Sequence, residues 1–166
     1  MKKFSLIASI AVLIAGGFAT SRALAMPDIS AITANCGIAQ SVLNKIEKAD
    51  TGSRINRGHD YNELLDLMFA MNARLSVNKI AAPTLTDLAS QFERNFTTFR
   101  TDYDKYSDAL SSAINIKCAN KPLDFYNRLE TARAARAILK QDVATLSQNI
   151  DDFYSQFNAI MKEADR

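Results

Sequence analysis

Cysteine, histidine and paired carboxylates are the groups through which this chain could do chemistry, and they are few and scattered. Cys36 and Cys118 are its two cysteines, and His59 is the sole histidine among 166 residues. A metal site draws on three or four converging ligands, and this inventory does not supply them. A thiol nucleophile would have to borrow His59 as its base, yet no supporting motif accompanies either cysteine. Asp151 and Asp152 are adjacent, so on a helix they point about 100° apart and cannot share one substrate. Acid–base work needs converged carboxylates. The reading is a non-enzymatic protein with no cofactor and no bound metal.

The remaining candidates are cationic. Arg136 is the one polar residue on an otherwise apolar helical stripe. It is read either as an anion site inside the bundle or as an arginine whose stem lies along the seam, paired with a carboxylate such as Asp102 to fix register. Arg128, Arg133 and Lys140 add positive charge around it. The second candidate is Arg54-Ile55-Asn56-Arg57-Gly58-His59, where Arg54, Arg57 and His59 concentrate charge and a group that titrates near neutrality. A polar connector is the plainer reading of that stretch.

The elements that must position these groups begin behind a leader. Lys2 and Lys3 precede an apolar run from Phe4 to Phe18, and Ala23-Leu24-Ala25 offers a small-x-small cleavage site. That order is a secretory signal over residues 1–25, leaving a single domain from Met26 to Arg166. The run is short for a bilayer span, which takes about 20 residues, although an uncleaved anchor is the alternative. A lipid on Cys36 is set aside, because Asn35 precedes it where a small residue is needed. Losing Lys2, Lys3 and Arg22 with the leader leaves 17 basic against 18 acidic side chains. A near-neutral chain makes no electrostatic case for nucleic acid. An even cysteine pair in an exported protein is most simply a disulfide, here Cys36–Cys118.

Glycine and proline are sparse, with Gly37, Gly52, Gly58, Pro27, Pro83 and Pro122 the only ones after the leader. Long helices follow from that. From Phe125, alternating steps of four and three run through Leu129, Ala132, Arg136, Leu139, Val143, Leu146, Ile150, Phe153, Phe157 and Ile160 to Ala164, with Pro122 at the helix start. From Leu85 the same steps give Ala89, Phe92, Phe96, Phe99, Tyr103, Tyr106, Leu110 and Ala113, a stripe that belongs to a core. Thr84 and Asp87 suggest a capping box at its start.

The first mature segment is less regular. Ile29, Ile32, Cys36, Ala39, Leu43 and Ile46 form one seam, and Tyr61, Leu64, Met68, Met71 and Leu75 another. They are out of phase by one residue across 50–60, and with two glycines there a helix break is the expected outcome, a continuous helix absorbing the slip being the alternative. With a turn at 80–83, a helix from Cys36 to Lys79 of about 65 Å meets a return path of about 57 Å. The cysteines therefore come within reach. The expected fold is all-α: an elongated, antiparallel, up-down-up three-helix bundle, coiled-coil-like, fastened by one disulfide.

The leader, the early cysteine and the turn Lys117-Cys118-Ala119-Asn120-Lys121-Pro122 before an Ala- and Arg-rich helix together resemble small exported coiled-coil proteins of ultrasmall candidate-phylum bacteria. The resemblance implies the architecture and brings no activity with it. Three functions are expected in order. The first is an extracytoplasmic spacer or protein-interaction module with an unidentified protein partner, whose seam would be dry and filled. The second is a small-ligand or sensor bundle, which requires a pocket beside Arg136. The third is a holdase, which requires an exposed apolar groove.

Overall fold

In the computed structural model, residues 28–164 are described, and they form three helices in antiparallel order. These are α1 (Ile29–Val77), α2 (Pro83–Ile114) and α3 (Pro122–Ala164). The expected leader over residues 1–25 and its expected cleavage point lie outside the described residues. Among the described residues no helix is long and apolar enough to cross a membrane.

Local chemistry sets the ends. Asp28 caps α1, accepting hydrogen bonds from the Ser30 backbone N–H at 2.9 Å and its hydroxyl at 2.7 Å. Those bonds hold the Asp28 carboxyl below its ordinary range, that from the Ser30 hydroxyl foremost. At the other end Lys79 takes the left-handed conformation, φ 59°. Ile80 N–H then reaches Leu75 O and Lys79 N–H reaches Ser76 O, the pair of bonds that closes a Schellman turn. The expected capping box on α2 is not formed. Pro83 occupies the first helical position, so the cap falls on Ala82 and Thr84 already lies inside the first turn.

The expected break near residues 50–60 is absent, and α1 is a single helix of 49 residues. Leu43 and Tyr61 are eighteen residues apart, which is five turns at 3.6 residues each. Both therefore face the bundle on an uninterrupted helix. In heptad terms, eleven residues separate Asp50 from Tyr61, so four extra residues are absorbed by locally unwinding the supercoil. Neither glycine is needed for this. A Cβ at Gly52 or Gly58 would meet nothing within 4 Å, and neither glycine has positive φ. Gly52→Ala with Gly58→Ala is thus expected to raise stability by about 1 to 2 kcal/mol in denaturant titrations. Destabilisation would mean that the segment is not helical.

The nine residues of the α2 stripe, Leu85 to Ala113, are all buried. From α3 come Phe125, Ala132, Leu139, Leu146 and Phe153, and from α1 Cys36, Leu43, Tyr61, Met68 and Leu75. Helices α2 and α3 pair extensively, while α1 lies chiefly on α2 and touches α3 least. Antiparallel order along α1 and α2 is fixed by Gln40 Nε2 to Ile116 O at 2.7 Å, Ser111 Oγ to Glu47 Oε1 at 2.8 Å and Asn72 Nδ2 to Leu85 O at 3.2 Å. Cys36 and Cys118 are bonded, with Cα atoms 5.5 Å apart.

Two polar residues in the α2–α3 contact were not anticipated. Asn149 is buried, and it accepts a 2.6 Å hydrogen bond from Asn95 Nδ2. Asp142 has a buried Oδ2 with no hydrogen-bond partner among the described residues. Desolvation first, and then the negative charge of Asp102, push the Asp142 carboxyl up, with Lys105 opposing. A carboxyl raised in the folded state adds stability that is full below its unfolded value of 3.8 and is lost as pH rises through the folded value. Asp142→Asn is therefore expected to stabilise the fold by about 1 kcal/mol at neutral pH. That advantage should shrink on acidification toward about pH 4, in melts of both proteins across the range. An advantage independent of pH would remove the carboxylate explanation.

Candidate functional site

Between Leu43 and Tyr61 no residue of α1 is buried. Over this span the core-facing position falls to Asp50, and α1 stands off from α3 across the rings of Phe99, Tyr103 and Tyr106. The space left is an open cleft of about 560 Å³ between α1 and α3. Its walls carry Asp50, Arg54 and Arg57 from α1, and Arg133, Arg136 and Lys140 from α3. A volume of this size suits a small molecule.

One network spans all three helices at its floor. Tyr106 of α2 donates to Asp50 Oδ2 of α1 at 2.5 Å, and Arg136 Nη2 of α3 lies 3.3 Å from Asp50 Oδ1. Burial first, and then the bond to Asp50, hold the Tyr106 phenol above its ordinary range, so it remains a donor. Arg54 sits over the Tyr103 ring, 4.8 Å from its centroid, and its Nη2 is 3.1 Å from Asp104 Oδ1. Burial is also the leading cause that raises the Tyr103 phenol. Asp50 is thus the only anion in the cleft wall, and it faces five cations. Arg133 is paired with Glu130 one turn away. Arg57 and Lys140 have no carboxylate partner among the described residues.

Beside it a second cleft of about 320 Å³ runs toward the disulfide, lined by apolar residues that include Ala39, Val42, Ile46, Leu110 and Leu129. Tyr106, Arg133 and Arg136 border both. Arg133 and Arg136 therefore stand where the two clefts adjoin, both of mainly apolar surface, the larger with the more heavily charged rim.

Four of the five arginine and histidine candidates from the sequence, Arg54, Arg57, Arg133 and Arg136, line this one cleft. The fifth, His59, does not; it points to solvent and lies 3.1 Å from Glu63 Oε1 on its own helix. The stretch 54–59 is helical, not a connector loop. Arg136 pairs with Asp50, whereas Asp102 is taken by Lys105 at 2.6 Å. Asp50 itself was missed, because the first seam was followed only to Ile46. One more heptad step from Cys36 and Leu43 lands on it. The carboxylates of Asp151 and Asp152 bring in no second acid, and Asp152 accepts from Gln148. Among the described residues there is no group of three or more potential metal ligands. Comparison of the chain with protein-family models, curated proteins and solved structures gave no match.

Proposed function

We propose that this chain is an exported, non-enzymatic binding protein, and that its ligand lies in the cleft between α1 and α3. The observation that carries this reading is the cleft beside Arg136, whose wall holds five cations, three of them in ion pairs and two, Arg57 and Lys140, without a carboxylate partner among the described residues. A spacer or protein-interaction rod calls for a filled seam there. A holdase calls for an open apolar groove, and the aromatic stripe of α2 is covered. Exposure of the cations matters too. The Arg133 and Arg136 side chains are 62% and 55% exposed, so an arriving anion meets them without first opening the core. Export is supported by the leader and by the Cys36–Cys118 bond, since disulfides persist in oxidising compartments.

The experiment is native mass spectrometry of the mature chain purified from its own envelope. A retained small molecule is expected, and Arg133→Gln with Arg136→Gln should lose it while keeping the helical circular dichroism of the parent. Isolation of the chain free of small molecules but bound to another protein would return the interaction module to first place.

A further inference from the structure

The two adjoining clefts, which share Tyr106, Arg133 and Arg136, point to a class of ligand. We propose that the cleft takes a single-chain amphiphile with an anionic head, a carboxylate or a phosphate, and this rests on the binding reading above. The head sits at the junction, within reach of Arg133, Arg136 and Lys140. The chain runs away from them, along α1 beneath Val42 and Ile46 toward the disulfide.

Three features select this chemistry. First, the charged groups are unevenly placed: the smaller cleft has no charged lining apart from Arg133 and Arg136, while the larger, itself mostly apolar in surface, also carries Arg54, Arg57 and Lys140. A compact anion such as phosphate would leave the second cleft empty, and a neutral chain would leave Arg57 and Lys140 without a counter-charge. Second, the length is set. Ala39 to Ile46 spans about 10 Å along the helix, the reach of a medium-length alkyl chain. Third, the mouth is fixed before a ligand arrives. Asp50 holds both Arg136 and the Tyr106 hydroxyl, so the guanidinium is placed at the boundary between the polar and apolar parts. Arginine suits both headgroups, because its planar fork matches carboxylate and phosphate oxygens in pairs.

The test is titration of the folded, disulfide-bonded mature chain with hexanoate, octanoate and decanoate below their micellar concentrations, followed by calorimetry and by NMR shifts of residues 39–57 and 129–143. Affinity should rise about fourfold per added methylene while the chain remains inside the cavity. Decyl phosphate should bind as decanoate does, and decylammonium should not bind. Arg133→Gln with Arg136→Gln should weaken decanoate at least tenfold. Val42→Asp, at a half-exposed helix position, should keep the helical circular dichroism of the parent and remove the dependence on chain length. If benzoate or inorganic phosphate binds as tightly as decanoate, and Val42→Asp changes nothing, the amphiphile proposal is overturned while the cleft remains a binding site. If none of these probes shifts the cleft resonances, the proposal and the binding reading fall together. Sedimentation with vesicles of anionic phospholipid, without uptake of free decanoate, would likewise overturn it in favour of a membrane surface.

Discussion

Replacing Cys36 and Cys118 together by alanine is expected to lower the unfolding free energy by about 4 kcal/mol. The bond closes 82 residues, and chain entropy alone assigns about 4.5 kcal/mol to a loop of that size. A single domain commonly holds only about 5 to 15 kcal/mol in total, so the loss is a large share. It should also be unevenly distributed. Between Ile29 and Arg57, α1 contributes only Cys36 and Leu43 as buried residues, and it covers a cleft instead of a filled seam. From Tyr61 onward it adds Tyr61, Met68 and Leu75, and the hairpin turn holds it to α2. The bond therefore pins the half of α1 that packing holds least. Amide exchange in the double variant should accelerate most over residues 29–57 and least in α2 and α3. Uniform acceleration, or a change in denaturant midpoint equivalent to less than about 1 kcal/mol, would show that the bond acts elsewhere. The same region carries one wall of the cleft, so loss of the bond should weaken ligand binding even under conditions where the variant stays folded.

What was legible in the sequence divides along this line. Where a helix buries a regular stripe, spacing alone located it: every α2 position from Leu85 to Ala113 on the four-three pattern is buried. The α3 stripe was legible only in part: Phe125, Ala132, Leu139, Leu146 and Phe153 are buried, Leu129, Val143, Ile150, Phe157 and Ile160 are half-buried, and Arg136 and Ala164 are exposed. The reading failed where one helix must serve two periods. Sequence between Ile46 and Tyr61 carries a phase slip, two glycines and alternating charge, all of which also describe a loop. Only three-dimensional packing distinguishes a break from a stutter, because the deciding quantity is whether the faces on either side meet the same partner. Asp50 was hidden for the same reason. A carboxylate at a core position looks like the end of a seam until the tyrosine and arginine that satisfy it are seen on two other helices. Asn149 was missed because an asparagine beside an apolar stripe gives no sign of its partner. Asn95 is 54 residues away.

Phe92→Ala should cost about 4 kcal/mol, in the middle of the range for emptying a buried phenylalanine site. Phe92 has no exposed surface, and the edge-on ring of Tyr61 lies 6.0 Å from it. Tyr61 also stands 5.6 Å from Phe96 and 5.7 Å from Phe99 in the same edge-to-face manner. One tyrosine of α1 thus locks against three phenylalanines of α2, at the first point beyond the cleft where α1 is buried again. Removing Phe92 leaves Tyr61 without one of those faces, and such aromatic pairs contribute about 0.5 to 1.5 kcal/mol beyond their buried area. Phe92→Leu keeps most of the volume and should cost less than about 2 kcal/mol. Tyr154→Ala, at a side chain 64% exposed, should stay within about 0.5 kcal/mol. Denaturant melts of the three variants test the order. If Phe92→Ala proved as mild as Tyr154→Ala, the stripe from Leu85 would not be the core. Because the Tyr61 cluster lies on the far side of the cleft from the disulfide, α1 is held at two separate places with a weakly packed span between them. Phe92→Ala should therefore loosen residues 61–75 while leaving the fastened end near Cys36 in place, the reverse of the pattern expected when the disulfide is lost. Opposite exchange patterns from two variants of similar total cost would locate the soft span of α1 at the cleft itself.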